Sequence, residues 1–258
     1  MNDKLTQLHQ MTNVLGRPEN EYVIIGEGNT STRIDEDTFY VKASGQQMES
    51  ITPDGFTAVH FAPILDLLDN PPATMTEQKQ RMADARVYPE KHAMPSVEVS
   101  FHGMLLNECD VQFIGHTHPI AVNQLMCSTH AEIFATKRIF PDEVVLCGPQ
   151  SVFVPYADPG LPLAIIMREK VREYMQQFEE APKVILLKNH GVIVLGQTPR
   201  EILNITAMCV KAAKILQGAL AIGGAVFMDD EDVMHIYKRP DEIYRRQMFV
   251  NETESDAT

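Results

Sequence analysis

The chain has 258 residues and 44% of them are hydrophobic, which is enough for one large domain or two small ones with a substantial core. The formal net charge of -13 argues against an extended surface for nucleic acid or an anionic membrane, so neither is an expected partner. No stretch is long and apolar enough to cross a bilayer, and an anionic substrate would need a local, specialised pocket.

Two features of the sequence indicate a cytoplasmic protein. The start of the chain predicts an amphipathic helix and not a signal sequence, since polar residues separate apolar positions at helical spacing. These positions are Leu5, Leu8, Met11 and Leu15. The cysteines form no CxxC pair and lie apart in apolar surroundings, as expected of reduced thiols. They are Cys109, Cys127, Cys147 and Cys209.

The next segments predict the beginning of a sheet and a helix. Residues 21–45 contain two short β-rich runs that flank a turn-rich polar segment, STRIDEDT at 31–38, which is typical of a hairpin. Residues 61–80 carry a short helical piece that ends at Pro71 and Pro72, and a loop or surface helix follows.

The middle of the chain predicts a helix and further strands. Residues 95–108 open on a proline and repeat apolar residues at helical spacing, so Glu98 and His102 share one helix face, four residues apart. Glu98 would lie one turn into this helix, near the positive end of the helix dipole. Strands are expected at 110–119, 142–148 and 151–156.

Helices and strands continue to alternate after residue 157. Residues 158–178 predict a helix after a Pro-Gly turn, and residues 183–196 predict two apolar strands around a tight turn. A capping box then marks the start of a further helix, with Thr198 as N-cap, Pro199 at the first helical position and Glu201 three residues after the cap.

These elements predict an α/β fold. Several strand pairs have links too short for a crossover helix, so a mixed sheet covered by helices on both faces fits best. We expect one main domain over residues 1–229 and a polar C-terminal extension over residues 230–258. The end of that extension, NETESDAT at 251–258, is expected to be disordered.

Two histidines stand one residue apart in an otherwise apolar run, IGHTHPIA at 114–121. On a strand, residues i and i+2 point to the same side, so the side chains of His116 and His118 can bind the same ion. His190 lies in a tight turn between two apolar strands, where Gly191 lets the backbone bend sharply. Three neutral imidazoles with an open fourth position are typical of a catalytic zinc site. Spacing alone does not join His190 to the pair, and each histidine alone would be a hydrogen-bonded core or turn residue.

Two turn segments offer donors for an oxyanion. GEGNTS at 26–31 combines glycines, an asparagine and hydroxyls, so it can present backbone N–H groups and side-chain donors to an oxyanion. Turns of this composition also commonly connect the strands of hairpins. In VKASG at 41–45, strand alternation puts Lys42 and Ser44 on one side, where an ammonium and a hydroxyl could converge on the same anion. The alternative for Lys42 is a solvated strand lysine, and the default for Glu98 is a surface carboxylate.

Taken together and in this order, the segments resemble the class II aldolase and adducin family over roughly residues 5–225. The five matching segments are GEGNTS at 26–31, ASG at 43–45, PSVEVSFH at 95–102, HTHP at 116–119 and KNHG at 188–191. The resemblance implies a three-layer α/β/α sandwich with a mixed central sheet, in which residues 1–229 would be the catalytic domain. It also implies a homo-oligomer, in the aldolases usually a four-fold symmetric tetramer with active sites between subunits.

The resemblance implies roles for particular residues. His116, His118 and His190 would ligate a divalent metal, and Glu98 would be the catalytic carboxylate that also approaches the metal when no substrate is bound. Zinc is the expected ion, with manganese or cobalt as alternatives, since imidazole ligands suit all three. The substrate would be a small phosphorylated sugar. Its phosphate would be held by Gly28, Asn29, Ser44, Gly45 and Ser96.

The sequence departs from the family pattern at several places, and two of them bear on the reaction. Val97 stands where many aldolases of the family have a second serine, and Lys42 would compensate as a further phosphate ligand. Residues 128–140 correspond to the stretch from which some fuculose-phosphate aldolases take a tyrosine acid, and they contain no tyrosine. Tyr237 and Tyr244 are then the candidates for that acid.

The resemblance implies an enzyme, a class II aldolase. The favoured reaction is reversible cleavage of a ketose 1-phosphate to dihydroxyacetone phosphate and an aldehyde through an enediolate, whose negative charge a divalent cation stabilises. Glu98 would protonate the enediolate carbon. Two alternatives within the family are epimerisation of a pentulose phosphate and decarboxylation of a 3-oxo sugar-acid phosphate. A non-catalytic adducin-like scaffold is disfavoured, because it needs no metal ligands and would be expected to carry a long tail with basic segments.

Overall fold

The computed structural model describes residues 3–91 and 93–251, and a seven-stranded sheet lies at its centre. The strands are β1 Asn29–Arg33, β2 Thr38–Lys42, β3 Phe56–His60, β4 Phe113–Thr117, β5 Val152–Val154, β6 Val184–Leu187 and β7 Gly191–Gly196. Their order across the sheet is β3-β2-β1-β4-β7-β6-β5. Neighbouring strands run antiparallel except β5 and β6, which are parallel. The sheet is therefore mixed, as the sequence predicts.

Helices cover both faces of this sheet, which confirms the three-layer α/β/α sandwich. The helices are α1 Asp3–Leu15, α2 Phe61–Asp69, α3 Met75–Asp84, α4 Val99–Glu108, α5 Ile120–Met126, α6 Ala131–Thr136, α7 Pro141–Cys147, α8 Leu161–Phe178, α9 Pro199–Ala221, α10 Asp230–Lys238 and α11 Pro240–Asn251. On one face α4 packs between α2 and α8, and on the other α9 packs against α1 and α5.

Side-chain alternation along the strands explains why both faces are buried. In β6, Ile185 and Leu187 enter the core under α4 and α8, whereas Val184 and Leu186 enter the opposite core under α9. A strand that buries alternate side chains in two cores reads in the sequence as a continuous apolar run. That pattern makes residues 183–196 recognisable as strands.

The first strand differs from the prediction. Residues 22–25 form no strand, and the side chain of Ile25 is 80% exposed. β1 lies instead in the segment predicted to be a polar turn, because its hydroxyl groups find partners inside the protein. The hydroxyl of Ser31, for example, is 2.7 Å from a ring nitrogen of His102. Buried polar side chains that are hydrogen-bonded leave no apolar pattern in the sequence.

The prediction of a strand at 142–148 is wrong, since this segment belongs to helix α7. Pro141 occupies the first turn, where a missing N–H removes no helical hydrogen bond, and the Glu143 carboxylate accepts the Ile139 N–H at 2.9 Å. A short apolar run does not by itself distinguish a helix from a strand. Strand β3 is absent from the sequence prediction.

The end of the chain agrees in part with the prediction. The capping box of α9 is confirmed, because Thr198 Oγ1 accepts the Glu201 N–H at 3.2 Å. The polar segment after residue 229 forms α10 and α11, which pack against α7 and α9; the domain division at that point stays a prediction. Residues 252–258, where most of the predicted disorder falls, lie outside the described residues. Among the described helices, none is both long enough and apolar enough to cross a bilayer.

Candidate active site

The histidine pair lies where β4 pairs with β7. His116 is completely buried, and its ring meets the ring of Phe101 edge-on. Its Nδ1 donates a hydrogen bond to the carbonyl of Val192 in β7 at 3.0 Å. That bond fixes the tautomer, so Nε2 of His116 presents a lone pair to the site.

His118 and His190 complete a triangle with His116. The three ring centroids lie 4.8 to 5.0 Å apart, and one nitrogen from each ring lies within 4.8 Å of the other two. The Nε2 atoms of His116 and His118 are 3.0 Å apart. Spacing predicts the pair, and the fold brings His190 to it across the β4–β7 ladder.

A close approach of two backbones brings His190 into the site. In the turn between β6 and β7, Asn189 has the left-handed conformation at φ 56°, so the asparagine and not Gly191 adopts the unusual geometry. A Cβ on Gly191 would lie 2.6 Å from the carbonyl oxygen of Thr117 and 2.7 Å from Cδ2 of His118. Glycine is therefore required because the backbone of β7 touches the end of β4, and not for the sharp bend expected from the sequence.

The surroundings keep the imidazoles of His116 and His118 neutral. Burial, together with the neighbouring His190, lowers the pKa of His116 to about 3. Burial and the two neighbouring rings also lower the pKa of His118. Neutral imidazole is the form that binds a metal ion, so His116 and His118 are in the state that a metal site requires.

Glu98 is the carboxylate beside the three imidazoles. It occupies the N-cap position of α4, one residue before the helix, and not one turn inside it as predicted. Its side chain is buried, so the default interpretation as a surface carboxylate is wrong. Oε2 accepts a hydrogen bond from Asn29 Nδ2 at 2.7 Å and lies 3.5 Å from His116 Nε2. Oε1 lies 3.4 Å from His190 Nε2 and has no hydrogen-bond partner among the described residues.

This donor set fits a divalent metal ion. Oε1 of Glu98 is a buried anionic oxygen that accepts no hydrogen bond from the described residues, which is costly unless a cation or a substrate occupies the adjoining space. Three imidazole nitrogens with a carboxylate beside them are typical of a catalytic zinc site, and the same ligands also accept manganese or cobalt.

The predicted phosphate segments meet next to Glu98. β1 pairs with β4 so that Asn29 lies opposite His116. Asn29 Nδ2 also donates to Ser96 Oγ at 3.1 Å, and that oxygen accepts the Glu98 N–H at 3.3 Å. Ser44 is held alongside, because its N–H donates to a carbonyl of the segment just before Ser96. The fold thus brings the predicted phosphate ligands to one end of the sheet.

Two glycines of these segments have left-handed backbone conformations. Gly28 has φ +68°, and a Cβ there would lie 2.6 Å from a carbonyl oxygen of β4. Gly45 has φ +79°, and a Cβ on it would meet no atom within 4 Å, so its turn borders open space. Asn29 and Ser96 are buried beside Gly28, whereas Gly45 lies at the exposed edge of the site.

Lys42 is buried, so its interpretation as a solvated strand lysine is wrong. The side chain lies inside the turn after β2, where Nζ donates to the carbonyl of Gln46 at 2.6 Å. Lys42 and Ser44 do not share an exposed face, because only Ser44 is exposed. Burial lowers the pKa of Lys42 to about 8, and the negative charge of Glu98 opposes that shift. An amine held in the interior near Glu98 is a candidate ligand for an anion.

The two candidate tyrosines lie in the C-terminal helices. Tyr237 donates a hydrogen bond to Glu180, which precedes β6, whereas His190 follows the other end of that strand. Tyr237 is therefore remote from the imidazole cluster within one chain. Tyr244 is exposed on α11.

His102 is the site residue for which the sequence analysis has no role. It is completely buried on α4, and hydrogen bonds join it to Ser31 and Asn29 of β1. The sequence places it four residues from Glu98, and this spacing is the signal that could have suggested a role, since both side chains contact β1.

The protein-family model described as the class II aldolase and adducin N-terminal domain matches residues 14–217 of the sequence. The chain belongs to the class II aldolase and adducin family. The matched range contains all seven strands and every candidate site residue from Gly28 to His190. The resemblance seen in the sequence is therefore confirmed, and the imidazole cluster is that of a metal-dependent family.

Three proteins illustrate what this class II aldolase family member is similar to. The 3-oxo-tetronate 4-phosphate decarboxylase of Haemophilus influenzae is 27% identical over 211 residues, which are 79% of this chain and 85% of that protein. The N-terminal class II aldolase domain of a conserved Thermoplasma acidophilum protein has a TM-score of 0.65 at 22% identity, covering 83% of this chain and 94% of that one. The L-fuculose-1-phosphate aldolase of Thermus thermophilus has a TM-score of 0.61 at 17% identity, covering 88% and 100%. The two solved structures confirm the fold alone.

Proposed function

We propose that this chain is a metal-dependent carbon–carbon lyase that acts on a small sugar phosphate. The observation that carries the proposal is the position of Glu98, whose buried Oε1 has no donor among the described residues and faces the imidazole cluster. His116, His118 and His190 would hold the metal. When bound, a divalent cation, for which zinc is the first choice, would supply positive charge beside the negative charge that develops on the substrate. A carboxylate in this place can move a proton to or from the reacting carbon.

Within that class we propose decarboxylation of a 3-oxo sugar-acid phosphate, one of the alternatives to the aldol cleavage that the sequence analysis favours. The similarity to a 3-oxo-tetronate 4-phosphate decarboxylase supports this choice. Decarboxylation also demands less of the chain, because carbon dioxide leaves without a proton. Aldol cleavage needs a second group for the proton of the aldehyde-side hydroxyl, and residues 128–140 contain no tyrosine for that role.

In the proposed step, the bond between the carboxyl carbon and C2 breaks, and its electron pair forms an enediolate across C2 and C3. Carbon dioxide leaves, and a proton that Glu98 Oε1 has taken up from solvent passes to C2, which gives a hydroxyketone phosphate. Glu98 is then a carboxylate again, so one solvent proton is consumed for each carbon dioxide released. Ser96 and Lys42 would hold the phosphate, with Ser44 at the open edge, so that C2 stands next to Oε1. The side-chain amide of Asn29 already donates to Ser96 and Glu98, so it would orient these two groups.

Cleavage of a ketose 1-phosphate is the second candidate, and the position of Glu27 favours it. Its carboxylate lies 3.8 Å from Nδ1 of His118, and both side chains line a groove that opens to solvent. A carboxylate there is placed to take the hydroxyl proton that aldol cleavage releases.

A product assay distinguishes these reactions. Metal-loaded protein is incubated separately with a four-carbon 3-oxo acid 4-phosphate, with ketose 1-phosphates and with a pentulose 5-phosphate. Release of carbon dioxide from the first substrate would support decarboxylation, and release of dihydroxyacetone phosphate with an aldehyde from the second would support the aldolase. Epimerisation of the pentulose 5-phosphate would replace both of these proposed reactions. A protein that binds metal but converts none of the three would overturn the lyase proposal.

We further propose a cytoplasmic homo-oligomer, in the manner of the family a tetramer. All four cysteines are free thiols, which suits a reducing compartment. Ile24, Ile25 and Ile120 are 63%, 80% and 51% exposed. Ile24 and Ile120 line a groove together with His118, and all three isoleucines line a neighbouring groove. An apolar rim of this kind is typical of an association surface.

Light scattering of the purified protein is expected to give about four chain masses, and Ile25→Asp is expected to reduce that mass, because a carboxylate would be buried in the subunit contact. Ile222→Asp is the matched control, since Ile222 is 88% exposed on a different element and its replacement should leave the assembly intact. A monomeric wild-type protein would contradict the proposal.

Lys42→Met is expected to raise KM for the phosphorylated substrate by about 10-fold or more, because a charge-assisted hydrogen bond to phosphate contributes about 1.5–3 kcal/mol. Methionine occupies a similar volume, so the melting temperature should change little. Lys79→Met, on the exposed side of α3, is the control that should change neither quantity. An unchanged KM would rule out Lys42 as a phosphate ligand.

Lys42 also predicts how kcat/KM of the wild-type protein depends on pH. The ammonium form of Lys42 binds phosphate, and its pKa is lowered to about 8. The value of kcat/KM of the wild-type protein should therefore fall as the pH rises through about 8, and this limb should be absent in Lys42→Met.

A further inference from the structure

Behind Glu98 lies a chain of polar side chains that the proposed reaction does not use. His102 of α4 is completely buried, and its two ring nitrogens face two different side chains of β1. Nδ1 is 2.7 Å from Ser31 Oγ, and Nε2 forms a hydrogen bond with Asn29 Oδ1. Asn29 Nδ2 in turn donates to Glu98 Oε2 at 2.7 Å. Ser31, His102, Asn29 and Glu98 thus form one continuous series.

The direction of each hydrogen bond follows from the chemistry of its ends. The carboxylate of Glu98 only accepts, so the amide nitrogen of Asn29 faces it and Oδ1 faces His102. Because Oδ1 also only accepts, Nε2 of His102 carries the proton and donates. Nδ1 of the neutral ring is then an acceptor for the hydroxyl of Ser31. Burial lowers the pKa of His102 to about 3, which keeps the ring neutral.

We propose that His102 is a positioning residue that, through Asn29, selects which oxygen of Glu98 moves the proton. The Nε2–H group of His102 holds the Asn29 amide with its nitrogen toward Glu98, and this nitrogen engages Oε2 and leaves Oε1 free for the substrate. A reversed amide would place Oδ1 against the carboxylate, where two acceptors repel each other. The inference deepens the proposed function and rests on it for the role of Glu98.

Packing alone does not explain this arrangement. An apolar side chain would fill the space between α4 and β1 without the cost of burying an imidazole. The ring of His102 instead has a polar partner at each nitrogen, which makes it part of a buried hydrogen-bonded network. Such a network specifies the orientation of its members, and the member next to the imidazole cluster is Glu98.

Two substitutions separate orientation from space filling. His102→Gln keeps an amide N–H near the position of Nε2 and can still donate to Asn29, whereas His102→Leu keeps much of the bulk and donates nothing. We expect kcat to fall about 10- to 100-fold in His102→Leu and to stay within about three-fold of wild type in His102→Gln, with bound metal unchanged in both. His9→Leu is the control, because it replaces a half-buried histidine that bonds the carbonyl of Ile51.

The tautomer of His102 is measured without any assay of activity. Metal-free protein labelled with nitrogen-15 at histidine is expected to show, by NMR, a protonated Nε2 and an unprotonated Nδ1 for His102 from about pH 5 to about pH 8. The resonances are assigned by their disappearance in His102→Gln. This measurement uses the wild-type protein, so it holds even where His102→Leu does not fold.

A proton on Nδ1 in place of Nε2, or a His102→Leu variant as active as His102→Gln, would overturn the inference. A protein that shows none of the proposed reactions would overturn the proposed function, and the tautomer measurement would still decide whether His102 donates to Asn29. The two failures are therefore distinguishable.

Discussion

Glu98→Gln is expected to lower kcat by about 1,000-fold, because a positioned acid or base contributes about 100- to 10,000-fold to a rate. Glutamine has the shape of glutamate and can still accept from Asn29 Nδ2 through its amide oxygen. It has no proton to deliver from the position of Oε1. Steady-state kinetics with the substrate identified by the product assay measure the effect, and elemental analysis of the same sample shows whether metal is retained.

The matched control for this substitution is Glu36→Gln. Glu36 is exposed in the turn between β1 and β2, so the replacement removes one negative charge without touching the site. Its kinetic constants should equal those of the wild-type protein. A Glu98→Gln variant that keeps its metal and retains kcat within a few-fold of wild type would show that another group moves the proton.

His118→Ala is expected to abolish metal binding and, with it, all lyase activity. Wild-type protein should contain about one divalent ion per chain, and loss of one of three imidazole ligands should weaken binding by at least about 100-fold. His118 suits this test better than His116, because it is half-buried and sits past the end of β4, so its removal leaves the core intact. Metal content by mass spectrometry and product release from the substrate that the wild-type protein converts are the two measurements.

His60→Ala is the control for the metal experiment. His60 is exposed before α2, and its side chain makes no capping hydrogen bond to that helix. Its removal tests whether any histidine deletion reduces metal content through general damage. A His118→Ala protein that still holds one ion per chain would remove His118 from the ligand set, and a wild-type protein without metal would favour the scaffold.

The fold was predictable from the sequence where apolar periodicity decided the element. β6 and β7 bury alternate side chains in two cores, and α8 and α9 carry apolar stripes, so these elements agree with the prediction. The prediction misses β1 because it is a buried strand of polar residues whose partners come from distant segments. It assigns α7 to a strand because a short apolar run does not by itself distinguish a helix from a strand.

The candidate site residues could be chosen from the sequence, whereas much of their geometry could not. The spacing of His116 and His118 and the family motifs pointed to candidate ligands, but only the fold shows that Gly191 serves a close backbone approach. The burial of Lys42 and the hydrogen bonds of His102 depend on contacts across the sheet. Such contacts cannot be predicted from local sequence patterns, because tertiary packing determines them.

The pairing of β4 with β7 also determines when the protein can acquire its ion during biosynthesis. The hydrogen bond from His116 reaches Val192, 76 residues further along the chain, and His190 precedes that strand directly. A nascent polypeptide in which β7 has not yet paired with β4 therefore offers two imidazoles at most. Two imidazoles bind divalent ions weakly. Such long-range closure is a slow step of folding. Metallation should thus follow formation of the central ladder and afterwards resist its reopening, which makes ion uptake a reporter of completed maturation.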